Sequence, residues 1–221
     1  MRPRHVALFG GQDVATVINE CRRIGYPGKM WPVNPRRKEI AGIPCFTDIE
    51  ALPEAPDAVF LAVPKEAAID IVTKLSERGA GGVVCYTAGF SEIGTAGKEA
   101  EVELITAAGE MALLGPNCYG LINFHDQLAL WPFAHRGIHP GFGAAIITQS
   151  GMLSSDLIMS QRHLPLSYMV SVGNQAALRL EDFIDICLED SHVRAIGLHI
   201  ETIRDTVKFA KAAMRAIEKN I

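Results

Sequence analysis

The hydrophobic residues in the first half of the chain form short continuous runs that alternate with stretches of helical periodicity. Continuous apolar runs are typical of strands buried on both faces, and the periodic stretches indicate helices that cover a parallel sheet. We predict strands His5–Phe9, Lys29–Pro32, Ala58–Val63, Gly82–Tyr86 and Met111–Leu114, and helices Asp13–Ile24, Lys65–Arg78 and Thr95–Ala108. This alternation predicts an α/β domain with a Rossmann-like, doubly wound parallel sheet.

The second half of the chain repeats the alternation. We predict strands Ala144–Thr148, Tyr168–Val172 and Ala195–Ile200, and helices Met152–Gln161, Leu180–Leu188 and Thr206–Glu218. The last predicted element is a helix, although a parallel βα unit buries its helix against the strand that follows. We therefore expect a truncated second α/β domain that belongs to a longer chain; a natural C-terminal helix that caps the sheet is the alternative.

A segment rich in Gly, Pro and His separates the two halves and lacks helical periodicity. A chain of 221 residues has room for one or two domains of ordinary size. The predicted organisation is a first domain over residues 1–122, a linker over residues 123–142 and a second domain over residues 143–221.

Composition narrows the class of protein. With 48% hydrophobic and 21% charged residues the chain can bury a core, and its net charge of -4 argues against nucleic acid as the principal partner. The five cysteines are scattered and form no CxxC, so we expect neither a disulfide framework nor a metal site. No apolar stretch approaches the roughly 18 residues of a membrane span. We expect a soluble cytoplasmic protein that binds no membrane.

The turn after the first strand is a candidate anion site. Gly10, Gly11 and Gln12 lead directly into the first helix, where free backbone N–H groups and the helix dipole favour a pyrophosphate. The alternative is a tight turn that only requires small residues. In open α/β sheets ligands bind at the carboxyl ends of the strands, which is where this turn lies.

The turn after the second strand carries cations. Asn34 and Pro35 are followed by Arg36, Arg37 and Lys38. Clustered cations favour a phosphate, whereas an NAD site would carry an acidic residue for the ribose. This run therefore points to NADP or to the 3'-phosphate of coenzyme A; a solvated surface run is the alternative.

The motifs at the remaining strand ends carry a family resemblance. They run in the order VNP (33–35), GIPC (42–45), AVP (62–64), TAGF (87–90), LGPNCYGLIN (114–123), TQSG (148–151) and VGN (172–174). This order resembles the nucleoside-diphosphate-forming acyl-CoA synthetases, namely the ADP-forming acetyl-CoA synthetases and the α subunit of succinyl-CoA synthetase. The resemblance covers essentially the whole chain. It implies a CoA-binding Rossmann-like domain followed by part of a flavodoxin-like domain.

The resemblance implies a CoA site built from the strand ends. Its expected contacts are Gly10, Gly11 and Gln12 with the phosphates, Asn34 with Arg37 or Lys38 at the adenosine end, Val63 and Pro64 at the adenine or ribose, Thr87, Ala88 and Gly89 along the pantetheine, and Asn117 and Cys118 near the thiol. We do not expect Cys118 to act as a nucleophile, because a buried cysteine after a strand is usually inert.

The second half supplies a candidate phosphate site. Ser150 opens a helix directly after a strand, so its hydroxyl and the N–H groups of Gly151 and Met152 would form an anion cradle. The resemblance implies that this cradle holds the phosphate of an acyl phosphate or a phosphohistidine; an ordinary Ser N-cap is the alternative. Glu201 matches a family carboxylate that orients the phosphohistidine, or else it is a surface residue that caps the next helix. Glu201 and Asn117 are the catalytic candidates.

The implied activity belongs to a longer protein. The resemblance implies joining of a carboxylic acid to CoA with cleavage of ATP to ADP and phosphate, through an acyl phosphate and a histidine relay to an ATP-grasp domain or subunit that binds ATP and Mg. No histidine of this chain matches the relay position: His5, His125, His135, His139, His163, His192 and His199. We expect this chain to bind CoA, to be inactive alone and to belong to an oligomer.

Two other functions stay open at this point. One is a non-catalytic CoA-sensing regulatory module, as in protein acetyltransferases that carry a similar region. The other is an NADP-binding redox module, which the cations of residues 36–38 would favour if they held a 2'-phosphate. No motif indicates which acid is the substrate.

Overall fold

The computed structural model describes residues 2–138, 140–160 and 164–221. Its helices are α1 (Gln12–Ile24), α2 (Lys65–Glu77), α3 (Thr95–Ala108), α4 (Gly151–Met159), α5 (Leu180–Leu188) and α6 (Thr206–Glu218). Its strands are β1 (His5–Phe9), β2 (Lys29–Val33), β3 (Glu39–Ile40), β4 (Ile43–Pro44), β5 (Ala58–Leu61), β6 (Gly82–Cys85), β7 (Ala112–Leu114), β8 (Gly120–Asn123), β9 (Leu128–Leu130), β10 (Gly143–Thr148), β11 (Leu166–Ser171) and β12 (Val193–His199).

The first sheet has the order β2-β1-β5-β6-β7, and its strands are parallel. Side chains of β1 alternate between two hydrophobic cores: Val6 and Leu8 face one, and Ala7 and Phe9 face the other. Period two puts successive side chains on opposite faces, so a strand covered on both faces must be apolar throughout. The predicted parallel, doubly wound sheet is confirmed.

Helices cover both faces of this sheet. Val14 and Val17 of α1 belong to the core of Val6 and Leu8, whereas Val72 of α2 belongs to the opposite core with Leu104 of α3. All four side chains are fully buried, and each such aliphatic group contributes about 1.5 to 3 kcal/mol of burial free energy. The two helix layers hold the strand ends in fixed positions at the edge of the sheet.

The second sheet has the order β12-β10-β11-β8-β9. Strands β10, β11 and β12 are parallel as predicted, whereas β8 runs antiparallel to β11 and forms a hairpin with β9. The segment 123–142, predicted as a linker, therefore supplies β9 to this sheet. Strand β9 has three residues, too short for a periodicity window, yet all three are buried. The predicted domain boundaries remain a prediction.

Smaller differences lie at the ends of elements. The hairpin β3–β4 was not predicted, and its turn at Ala41 and Gly42 has positive φ angles of 48° and 75°. Strand β5 ends two residues before the predicted Val63, and α4 ends at Met159. Gln161, the predicted end of α4, and the histidines His139 and His163 lie outside the described residues.

The described helices are short. The longest, α3, has 14 residues. Within the described part of the chain, none of the helices combines the length and the apolar character that crossing a membrane requires.

Candidate functional site

The carboxyl ends of the first sheet lie level with one another. Phe9 pairs with both Val33 and Leu61, and Leu61 pairs with Cys85. The turns that follow these strands surround an open cleft of about 500 Å³. Its lining residues are Asp13, Ala62, Val63, Pro64, Lys65, Tyr86, Thr87, Ala88, Asn117 and Tyr119. Five of the predicted CoA residues, Val63, Pro64, Thr87, Ala88 and Asn117, are thus brought together.

The glycine turn lies beside this cleft. A Cβ atom at Gly10 would lie 2.6 Å from the carbonyl oxygen of Ala62, and its φ is 146°, so only glycine fits there. Gly11 is the N-cap of α1 and no side chain caps the helix. The first N–H groups of a helix have no partner inside it, so those of Gln12 and Asp13 stay available to an anion.

The positive charge of Arg37 lies next to the same glycine turn. The guanidinium of Arg37 lies 3.8 Å from the position that a Cβ atom of Gly11 would take. The Asn34 side chain donates to the carbonyl oxygen of Gly10 at 2.7 Å and accepts from the backbone N–H groups of Arg36 and Arg37 at 2.9 and 3.0 Å. Asn34 thus holds residues 36–38 next to the glycine turn. This role of Asn34 was not predicted from the sequence. Its predicted contact with the adenosine end, like that of the exposed Lys38, remains a prediction.

The turn after β6 forms the middle of the cleft. The Thr87 hydroxyl donates to the Val63 carbonyl at 2.7 Å, and the Thr87 carbonyl accepts from the Asn117 N–H at 2.9 Å. These bonds join the turns that follow β5, β6 and β7. Gly89 lies just outside the cleft, with a φ of 103° and its N–H donating to Glu92.

Cys118 and Asn117 are neighbours with opposite environments. Cys118 is 1% exposed, its thiol donates to the Cys85 carbonyl at 3.4 Å, and burial raises the pKa of this thiol. A buried thiol with a raised pKa is a poor nucleophile, which agrees with the inert role expected from the sequence. Asn117 is exposed, lines the cleft and has a φ of 54°.

The candidate phosphate site lies at the carboxyl end of the second sheet. The Ser150 hydroxyl accepts from the Leu153 N–H at 3.3 Å, so Ser150 is the N-cap of α4. The N–H groups of Gly151 and Met152 belong to the first turn, where a helix leaves its donors unpaired. The Met152 side chain is exposed. The geometry is that of a Ser cap, and the phosphate role remains a prediction.

Gln149 organises the loop that carries Glu201. Its side-chain oxygen accepts from the N–H groups of Glu201 and Thr202 at 3.0 and 2.8 Å, and its amide donates to the Thr202 carbonyl at 2.6 Å. Glu201 itself is exposed. Gln149 is therefore the missed link between the Ser150 turn and the Glu201 loop. Its position next to Ser150 in the TQSG motif is the signal that the sequence offered.

The two sheets meet at a pair of turns. A Cβ atom at Gly173 would lie 2.4 Å from the Pro116 carbonyl oxygen and 2.5 Å from that of Asn117, so glycine is required for the close approach. Asn174 donates its backbone N–H to the Pro116 carbonyl at 2.9 Å, and its side chain accepts from the Asn117 amide at 3.2 Å. This junction places the Asn117 end of the cleft beside the second sheet.

Two carboxylates hold Asn174 from the side of the first sheet. Its amide nitrogen donates to Glu92 at 2.6 Å and to Glu101 at 2.9 Å. Burial alone would raise the pKa of Glu92, but hydrogen bonds from Asn174 and from the backbone N–H groups of Gly89 and Phe90 outweigh it and lower that pKa. The ionised Glu92 therefore links the predicted pantetheine turn to the second sheet.

Tyr119 separates the two candidate sites. Its ring lines the cleft, and a Cβ atom at Gly151 would lie 2.9 Å from its Cζ atom. The cleft and the start of α4 are therefore on two sides of one aromatic ring. A second cavity, of about 390 Å³, lies at the opposite edge of the first sheet among mainly apolar side chains and contains none of the predicted site residues.

The residues of the cleft suit an elongated ligand with phosphates at one end. Free helix N–H groups and Arg37 lie at the glycine turn, and Asn117 lies at the far end beside the second sheet. Gly10 and Gly11 carry no side chain of their own, which favours close approach of a pyrophosphate to the start of α1.

Comparison with family models agrees with this geometry. Residues 5–123 match the model of the CoA binding domain, and residues 142–221 match that of the succinyl-CoA ligase like flavodoxin domain.

Comparison with curated proteins gives relatives along nearly the whole chain. A trans-feruloyl-CoA synthase from an unknown prokaryotic organism is 36% identical over 98% of this chain and 32% of its own length. The α subunit of an ADP-forming acetate–CoA ligase II from Pyrococcus furiosus is 31% identical over 98% of this chain and 49% of its own. The chain thus spans about a third to a half of the length of these relatives.

Solved structures share the arrangement of both sheets. A protein from Pyrococcus horikoshii superposes with a TM-score of 0.90 at 30% identity, over 99% of this chain and 52% of that one. The acetyl-coenzyme A synthetase 1 of Ca. Korarchaeum cryptofilum superposes with a TM-score of 0.87 at 26% identity, over 97% and 48% of the two chains. Over about half of their own length, these two structures therefore share the fold of this chain.

Proposed function

Because the chain belongs to the CoA-binding domain family and its relatives include ADP-forming CoA ligases, we propose that it is the CoA-binding portion of an enzyme that makes acyl-CoA thioesters. The observation that carries this proposal is the cleft at the carboxyl edge of the first sheet, with Arg37 and free helix N–H groups at one end and Asn117 at the other. An anionic cofactor with a reactive far end matches that polarity.

The proposed orientation of CoA follows the cleft. The diphosphate lies at Gly10, Gly11 and Gln12 under Arg37, because unpaired N–H groups and a cation converge there. Lys38 and Asn34 lie toward the adenosine 3'-phosphate, with Val63 and Pro64 beside the adenine or ribose. The pantetheine runs along Thr87, Ala88 and Gly89. The thiol ends near Asn117, next to the junction with the second sheet.

The proposed reaction is that of the whole protein. A carboxylic acid, CoA and ATP give acyl-CoA, ADP and phosphate. In the thioester-forming step the CoA thiolate attacks the carbonyl carbon of an acyl phosphate, a C–S bond forms, the C–O bond to phosphorus breaks and phosphate leaves. Ser150, Gly151 and Met152 hold that phosphate through the hydroxyl and the first N–H groups of α4.

Glu201 orients the relay histidine in this proposal. A carboxylate that accepts one imidazole N–H keeps the other ring nitrogen nucleophilic. In support of this role, Gln149 fixes the backbone of Glu201 next to the Ser150 turn. ATP, Mg and the relay histidine belong to other parts of the longer protein, including an ATP-grasp domain or subunit; two relatives carry the name of α subunits.

Titration calorimetry tests the proposal on the 221-residue chain. We expect CoA to bind more tightly than dephospho-CoA, NADP or NAD. Replacing Arg37 and Lys38 by alanine should weaken CoA binding by about tenfold, since a charge-assisted hydrogen bond contributes about 1.5 to 3 kcal/mol and these side chains are exposed. Lys29→Ala is the matched control, because Lys29 lies at the other end of β2.

Two results would contradict the proposal. Tight NADP binding without CoA binding would make the chain a redox module. Thioester formation from acid, ATP and CoA by this chain alone would show that the catalytic relay lies within it.

A further inference from the structure

Three aromatic rings pack against one another beside the cleft, and two of them, Tyr86 and Tyr119, line it. We call Tyr86, Tyr119 and Phe133 the aromatic wall. The ring centroids of Tyr119 and Phe133 are 4.6 Å apart, those of Tyr86 and Phe133 are 6.3 Å apart, and those of Tyr86 and Tyr119 are 6.4 Å apart. Each of the three side chains remains partly exposed, so the wall is not a closed core.

Buried rings hold the aromatic wall from behind. Phe60 stacks on Tyr86 at 5.9 Å, and Trp131 meets Tyr119 edge-on at 5.8 Å. Phe60 and Trp131 are both fully buried. Because their rotamers are fixed by the core, the exposed faces of the wall are set before any ligand arrives, which lowers the entropic cost of binding.

The wall lies between the two reacting groups of the proposed function. Tyr86 and Tyr119 line the cleft that ends at Asn117, and the Tyr119 ring also touches Gly151 at the start of α4. The thiol would arrive at Asn117, and the acyl phosphate would lie at Gly151. In the proposed step the thiolate attacks the acyl phosphate directly, so the acyl group would lie between Asn117 and Gly151, beside the Tyr119 ring.

Two members of the wall, Tyr86 and Tyr119, carry hydroxyl groups, and both residues line the cleft. Among the described residues, neither the Tyr86 nor the Tyr119 hydroxyl has a hydrogen-bond partner, and neither is a buried orphan atom. Burial, Asp13 and Tyr119 together raise the pKa of Tyr86, so its hydroxyl stays protonated at neutral pH. The wall therefore offers flat apolar faces with polar edges.

We propose that the acid activated by the longer protein carries an aromatic ring and that the aromatic wall is its acyl pocket. Rings favour offset or edge-to-face packing against other rings, and such pairs contribute beyond the area they bury. An acetyl group is too small to cover three rings. The inference rests on the proposed function, because it takes the positions of the thiol and the phosphate from there.

Calorimetry with acyl-CoA probes tests this inference on the same chain. The probes are CoA, acetyl-CoA, cinnamoyl-CoA and 3-cyclohexylpropanoyl-CoA, the last of which matches the bulk of the cinnamoyl group without its π system. We expect cinnamoyl-CoA to bind about three- to tenfold more tightly than the cyclohexyl probe, which corresponds to one or two ring pairs. Acetyl-CoA should bind within about twofold of CoA.

Variants assign the preference to the wall. Phe133→Leu should lower the preference for cinnamoyl-CoA over the cyclohexyl probe, because it removes one of the three rings of the wall. Tyr86→Leu is the second variant and keeps the test valid if Phe133→Leu does not fold. Phe142→Leu is the matched control, since Phe142 is exposed in the second half of the chain.

The outcomes separate this inference from the proposed function. If CoA binds but the cinnamoyl and cyclohexyl probes bind equally, the pocket recognises bulk alone and the aromatic inference is wrong. If CoA binds and cinnamoyl-CoA is the weaker ligand, the wall excludes aromatic acyl groups. If no probe binds, the proposed function fails and the inference fails with it.

Discussion

Replacing Gly173 by alanine puts a methyl group where two turns touch. Gly173 follows β11, has a φ of 56° and lies against the turn of Pro116 and Asn117. The new Cβ atom would be 2.4 Å from one carbonyl oxygen and 2.5 Å from the next, and both oxygens belong to backbone that cannot rotate away. The substitution therefore tests whether the contact between Gly173 and this turn stabilises the chain and supports CoA binding in the proposed cleft.

The size of the effect has two parts. An alanine in the left-handed region costs about 1 kcal/mol, and forcing apart a packed contact costs about 1 to 3 kcal/mol. Gly173→Ala should thus lower the free energy of unfolding by about 2 to 4 kcal/mol. Gly42→Ala is the matched control, because Gly42 has a φ of 75° with nothing within 4 Å of its Cβ position. Gly42→Ala should lower the free energy of unfolding only by the cost of placing an alanine in the left-handed region, about 1 kcal/mol.

Urea unfolding followed by circular dichroism measures both variants against the wild-type chain. Folded Gly173→Ala protein should also bind CoA more weakly, since the displaced turn carries Asn117, whereas Gly42→Ala should bind as the wild type does. Equal losses of stability in the two variants would refute the close contact at the junction. Unchanged CoA affinity in Gly173→Ala would show that Asn117 is not needed for binding.

Two further predictions concern single side chains. Gln149→Ala should speed hydrogen exchange at the Glu201 N–H by about fivefold or more, because a hydrogen bond contributes about 1 kcal/mol. Gln149→Glu keeps the side-chain acceptor and should retain this protection. Equal exchange rates in the two variants would contradict the hydrogen bond from Glu201 to Gln149. Burial, and then Arg23, lower the pKa of His135 from 6.5 to about 3 although Glu20 lies 3.4 Å away. Below pH 6.5 His135 therefore binds a proton in the unfolded chain but stays neutral in the folded chain. The free energy of unfolding should fall as the pH drops from about 6.5 toward 3. His135→Gln should flatten that slope in urea unfolding, and an identical slope would show that His135 is not the cause.

The strands of the first sheet could be predicted because burial on both faces leaves a continuous apolar run. Strands β3, β4, β8 and β9 were not predicted: each is short, pairs antiparallel with another strand and does not alternate with a helix, so the tertiary fold sets its partner. The unpredicted hairpin of β8 and β9 extends the second sheet, whose parallel strands were predicted from their own runs.

The site was predictable to a similar extent. The glycine turn and the strand-end residues of the cleft follow from the rule that ligands bind at the carboxyl ends of parallel strands. The roles of Asn34, Gln149 and Asn174 depend on which loops approach one another, and no local pattern encodes that. The aromatic wall was likewise hidden, because Tyr86, Tyr119 and Phe133 lie far apart along the chain.

The central claim is that CoA occupies the cleft at the carboxyl edge of the first sheet. Ala88 lines that cleft and is exposed, so Ala88→Trp fills the site without disturbing the core. Ala210→Trp, on the exposed side of α6, is the control. In titration calorimetry we expect Ala88→Trp to weaken CoA binding by at least about tenfold, and Ala210→Trp to bind CoA as the wild type does. If Ala88→Trp binds CoA with wild-type affinity, CoA binds elsewhere and its proposed position in the cleft is wrong.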